Sequence, residues 1–102
     1  MLSGVVGFGS FNMADGVVVM ACGDNTPAVA RSAAGIYTLT FTNGFDATQS
    51  FLMLSVTTAV DAATSFVHTS DTVKTVRTWT ANTGAALDAG TCNWVLFSMF
   101  GP

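Results

Sequence analysis

Ile36-Tyr37-Thr38-Leu39-Thr40-Phe41-Thr42 is the stretch that decides the fold class. Successive side chains of an extended chain point to opposite faces, so Tyr37, Leu39 and Phe41 share one face and Thr38, Thr40 and Thr42 the other. One face is core and one is polar, which is the signature of a half-buried strand. Thr, Val and Phe suit a pleated surface; the chain contains fifteen Thr and no Glu, a strong helix former.

Outward from this strand, breaks built of Gly, Asn, Asp and small residues recur at short intervals, the rhythm of a sandwich or barrel. They divide the 102 residues into eight expected strands: Val5–Asn12, Val17–Cys22, Val29–Ser32, Ile36–Thr42, Phe51–Thr58, Thr64–Thr69, Val73–Thr80 and Thr91–Phe100. Asp15-Gly16 reads as a hairpin turn with a positive φ at Gly, and Asn82-Thr83-Gly84 as a second reversal. Asn25-Thr26-Pro27 cannot continue a central strand, because Pro lacks the ladder donor. Ala81–Gly90 is Ala-rich but too short and Gly-interrupted for a helix. The expected fold is all-β, an antiparallel sandwich or jelly-roll-like single domain covering residues 1–102.

Two strands depart from simple alternation. In the last one Cys92, Trp94, Leu96 and Phe100 fall on one face, Val95, Phe97 and Met99 on the other; Phe51-Leu52-Met53-Leu54-Ser55-Val56 is equally two-sided. Antiparallel sheets usually leave one face wet, so strands that want burial on both faces point to a subunit interface. Its expected residues are Phe51, Met53, Trp94, Leu96, Phe97, Met99 and Phe100. The alternative is a central strand covered by other parts of the same chain.

The chain is 50% hydrophobic and 9% charged, whereas soluble domains carry about 25% charged residues. Such a surface must insert in a membrane or be covered by other subunits. The longest uncharged apolar stretches, Phe51–Val60 and Trp94–Phe100, fall short of the roughly 20 residues of a spanning helix. A homo-oligomer without membrane insertion is therefore expected. The N-terminus has no basic segment before an apolar one, so no secretory signal is read and synthesis in a cytoplasm is expected.

Chemistry-bearing residues are scarce. His68 is the single histidine, and the six Asp, at 15, 24, 46, 61, 71 and 88, stand alone in expected loops as turn formers. No catalytic residue, cofactor site or metal site is assigned. Gly4, Gly7 and Gly9 precede no helix and have no Lys partner, so they form no phosphate loop; they mark a strand approached closely by another backbone. Cys22 and Cys92 lack metal or redox spacing and read as two buried free thiols, a Cys22–Cys92 bridge being the alternative. With Arg31, Lys74 and Arg77 as the only basic side chains and a net charge of −3, nucleic acid is not an expected partner. Arg77 and Trp79 share a face of one strand and are the candidate contact for an exposed ligand.

The run Ala34-Gly35-Ile36-Tyr37-Thr38-Leu39-Thr40-Phe41-Thr42-Asn43-Gly44-Phe45, with Phe51 opening the next apolar strand, resembles the small β-sandwich head domains of bacteriophage fibres and decoration proteins. Those modules carry a Gly-x-Tyr-Thr-Val-x-Phe strand, a Thr/Ser-rich hairpin and a closing apolar strand, here Val73–Thr80 and Asn93–Phe97. The likeness spans about Val17 to Phe100. It implies a virion-surface protein, usually trimeric, and brings no catalytic residues. A cement or decoration protein bound to the major capsid protein is expected, because no shaft or tail-attachment segment precedes the first strand; the alternative is the receptor-binding head of a tail or head fibre.

Overall fold

The structure is a computed structural model that describes residues 4–23, 25–44 and 50–98. It contains eight strands: β1 (Gly4–Asn12), β2 (Val18–Gly23), β3 (Pro27–Ala33), β4 (Ile36–Phe41), β5 (Ser50–Thr57), β6 (Ala62–Ser70), β7 (Val73–Thr80) and β8 (Thr91–Ser98). Among the described residues there is no helix, and so none long and apolar enough to cross a membrane. The strands form two four-stranded antiparallel sheets, a front sheet in the order β2-β1-β8-β5 and a back sheet in the order β3-β4-β7-β6. The fold is the sandwich of the two expected forms: the hairpins β1–β2, β3–β4 and β6–β7 each stay within one sheet, and the β1–β8 and β4–β7 pairings join the halves of each sheet.

The residues between the sheets come from the inward half of each alternation. Tyr37, Leu39, Phe41 and Val76 from the back sheet meet Phe11, Leu52, Cys92, Trp94 and Leu96 from the front, all 4% exposed or less. Two aromatic contacts join the layers. Phe11 lies 4.9 Å from Tyr37, and Phe41 meets Trp94 edge-on at 5.8 Å, geometries favoured by the ring quadrupole.

Gly7 and Gly9 of β1 are explained by neighbouring backbone and by Trp94. Gly9 is paired with Trp94 across the ladder, and a Cβ there would sit 2.9 Å from the indole and collide with the Met20 carbonyl. At Gly7 a Cβ would run into the backbone of Asn25. The close backbone approach expected from the glycine spacing is present: the Asn25 and Met20 carbonyls lie where Cβ atoms of Gly7 and Gly9 would stand, and the Trp94 ring lies against the same two residues.

Turn chemistry follows the sequence. Gly16 and Gly84 have φ of 78° and 72°, the left-handed conformation that Gly adopts without penalty. Pro27 corrects the expected start of the third strand at Val29. It is the first residue of an edge strand, where a missing N–H leaves no ladder partner unsatisfied. The buried Asn25 supports this crossing: its Nδ2 donates to the Asn43 carbonyl at 3.0 Å, and the Asn43 amide donates back to Asn25 Oδ1 at 3.0 Å.

Candidate functional site

The front sheet has an unusual composition: none of its four strands contains Asp, Glu, Lys or Arg. Its outward face is organised in rows by the strand register. One row is Val5–Phe97–Phe51, the next Cys22–Phe8–Val95–Met53, and the third Met20–Ser10–Asn93–Ser55. Phe51 and Phe97 stack with ring centroids 5.0 Å apart and planes 7° from parallel. Phe8, Phe51 and Met53 are 42%, 46% and 54% exposed. Polarity returns at the third row, where Asn93 Nδ2 donates to Ser55 Oγ at 3.2 Å and, beyond it, to Thr57 Oγ1 at 3.3 Å.

The expected interface residues divide at this sheet. Phe51, Met53 and Phe97 lie together on the outward face. Trp94 and Leu96 point the other way and are 1% and 0% exposed, covered by the chain's own back sheet, so they are core and unavailable to a partner. Met99 and Phe100 lie outside the described residues. The outward face also holds Phe8, Val95 and Met20, which were not among the expected interface residues; the signal was available for Phe8, flanked by Gly7 and Gly9, and for Val95, which alternates with Trp94 and Leu96, but not for Met20 on the wholly exposed β2. Cys22 is corrected as well. It is a free thiol like Cys92, but it is exposed on the outward face opposite Phe8, whereas Cys92 is buried and its thiol is pushed up to about 12 by desolvation.

The second surface is a shallow groove of about 330 Å³ on the back sheet, lined by Ala34, Gly35, Ile36, Arg77, Thr78, Trp79, Gly84 and Ala86. Arg77 and Trp79, the expected ligand contacts, are brought together here. On the outward face Arg77 stands between Ile36 of β4 and Ser65 of β6. Trp79 stands between Ala63 of β6 and Ala86, which joins it through an isolated bridge.

Two polar clusters lie near these surfaces, one partly exposed and one buried. Asp88 gathers three donors: Arg31 Nη2 at 2.6 Å, the Gly35 amide at 2.7 Å and the Tyr37 hydroxyl at 2.9 Å, whose single proton also faces the Met13 carbonyl at 2.7 Å. The Arg31 guanidinium, aided by the other donors, holds the Asp88 carboxyl down to about 2. Burial, reinforced by Asp88, raises the Tyr37 phenol above its ordinary range. Sequence reading took Asp88 for a turn former; its partners come from positions over fifty residues away.

Lys74 is fully buried on the inward side of β7, its Nζ 3.4 Å from both Ser50 Oγ and His68 Nδ1 and 5.2 Å above the Phe66 ring. Desolvation lowers its pKa. His68 is thus engaged with a buried lysine. Among the described residues no group of three or more His, Cys, Asp or Glu could hold a metal ion.

Comparison of the chain with protein-family models, with curated proteins and with solved structures returns no match.

Proposed function

We propose that the chain is a non-enzymatic structural protein of a virus particle, a capsid decoration or cement protein that works as a homotrimer. The observation that supports this reading is the front sheet, uncharged in all four strands and carrying Val5, Phe8, Phe51, Met53, Val95 and Phe97 on its outward face. An exposed apolar face of this kind is the surface that copies of a chain cover against one another, and interfaces of obligate oligomers resemble a core cut in half. The viral assignment rests on the resemblance of the Gly35–Phe41 strand and the closing Thr-rich and apolar strands to phage head modules. A ligand that binds only the assembled shell stabilises it by mass action, and a multivalent one does so more strongly.

The test has two arms. In light scattering the purified chain is expected at the mass of a trimer, and Met53→Asp with Phe97→Asp is expected to give a folded monomer; a wild-type monomer overturns the interface. Particles lacking the protein are expected to assemble normally and release their genome at lower temperature, with purified protein restoring resistance even at high salt. Unchanged release temperature with lost adsorption to cells overturns the cement role in favour of a receptor-binding head.

A further inference from the structure

All three basic side chains of this acidic chain lie in the back sheet, and they are not equivalent. Lys74 is enclosed in the interior, with Ser50, His68 and Phe66 around its ammonium. Arg31 is spent on Asp88 at 2.6 Å. Arg77 is exposed at the groove and, among the described residues, has no carboxylate within ion-pair distance. An exposed guanidinium with its fork unoccupied suits a carboxylate, which it can bind through two parallel N–H···O bonds.

What surrounds Arg77 narrows the ligand further. Trp79 is two residues along the same strand face, about 7 Å away along the chain. Its ladder neighbours on both sides are alanines, Ala63 and Ala86, so no bulky side chain from those positions covers the indole, which is half-buried. The opposite wall is the Ala34-Gly35 turn, and at Gly84 nothing lies within 4 Å of where a side chain would begin. Asp88, behind the Gly35 turn, is already saturated by Arg31, Gly35 and Tyr37, so it does not compete for Arg77. A flat aromatic platform beside a free guanidinium, in a groove near the small end of ligand-sized pockets, matches a ring with one apolar face and one carboxylate. We infer that the groove between Ala34-Gly35 and Gly84 binds an acidic sugar residue, a pyranose carboxylate stacked on Trp79 and gripped by Arg77.

This inference is independent of the assembly reading, because the groove and the apolar face belong to opposite sheets. The probes are glucuronate, glucose and acetate, added to the full chain while the indole N–H signals are followed by nuclear magnetic resonance; the buried Trp94 serves as internal reference. Glucuronate is expected to shift Trp79 and not Trp94, saturably, with Kd on the order of 1 mM. Glucose and acetate, each offering half of the contact, are expected to bind at least about tenfold more weakly. Arg77→Gln is expected to abolish the shift, and Arg77→Lys, which keeps charge but loses the fork, to weaken it; Arg77 faces solvent, and unchanged Trp94 signals verify the fold. No saturable shift with glucuronate, equal binding of glucose or acetate, or full binding by Arg77→Gln each overturns the assignment.

Discussion

The two sheets cover the same core by different physical means. The front sheet is uncharged and inserts Trp94 over the bare backbone of Gly7 and Gly9, so its contribution is shape and apolar area. The back sheet has every basic residue of the chain, buries Lys74, and borrows Asp88 to bind Tyr37, Arg31 and the Gly35 turn. Their outward faces differ in the same sense. Phenylalanine, valine and methionine form the front rows, while the back presents Ala30–Thr38–Thr75–Val67 with hydroxyl pairs at Ser32–Thr38 and Thr69–Thr75. Such hydroxyls suit a water-facing sheet; the first two front rows have none.

The sharpest challenge to this contrast is Trp94→Ala. Removing a buried indole from a layer that relies on packing is expected to cost about 3–5 kcal/mol, read as a shift of the chemical-denaturation midpoint at unchanged slope. Trp94→Phe is the discriminating companion. Among the described residues the buried indole Nε1 has no hydrogen-bond partner, so a ring of similar shape and no polar atom is expected to recover most of the loss. If Phe were as damaging as Ala, packing would not be the basis of the front sheet.

The back sheet is expected to respond to protons instead. Asp88 has its pKa depressed from 3.8 to about 2, so the stability it contributes is complete above pH 4 and disappears as pH falls through 2. Asp88→Asn keeps the size and removes the charge. It is expected to cost about 1–2 kcal/mol at neutral pH and to flatten the loss of stability between pH 4 and 2 relative to wild type. Equal acid slopes in the two proteins would place the acid sensitivity elsewhere.

The smallest effect concerns the thiols, which sit on opposite faces of the front sheet. Cys22 is exposed and Cys92 buried. Native alkylation is expected to add one label, and alkylation after unfolding two, with little change in stability from the first. Two labels in the native state would mean that the inward face of β8 opens readily.

Much of the fold was legible because strand alternation is a local property. The Ile36–Phe41 pattern, the Val73–Thr80 span, the positive-φ turn at Gly16 and the reversal at Asn82-Thr83-Gly84 all coincide with the structure. Two-sided hydrophobicity in β8 was equally visible, but which side faces the chain's own second sheet is set by the register of eight strands, so Trp94 and Leu96 could not be separated from Phe97 beforehand. Cys22 misled for a related reason. Its residue type favours burial, yet β2 is an edge strand whose residues are all exposed. Asp88 and Asn25 owe their environments to partners 18 to 57 residues away, and Lys74 to Ser50, 24 residues away, as well as to His68 on the paired strand, pairings in which composition and periodicity carry no signal.

The burial of Lys74 reaches beyond stability. With that ammonium enclosed and Arg31 paired with Asp88, Arg77 is, among the described Lys and Arg residues, the exposed cation with no carboxylate at ion-pair distance, on a chain whose net charge is −3. Near an anionic surface, such as a layer of acidic polysaccharide, the body of the molecule is repelled while this one spot is attracted. The resulting torque turns the back sheet toward the surface before contact, and salt at physiological strength confines the effect to the last roughly 8 Å of approach. A protein with few charges thus acquires a preferred direction of arrival from where a single one of them is left uncovered.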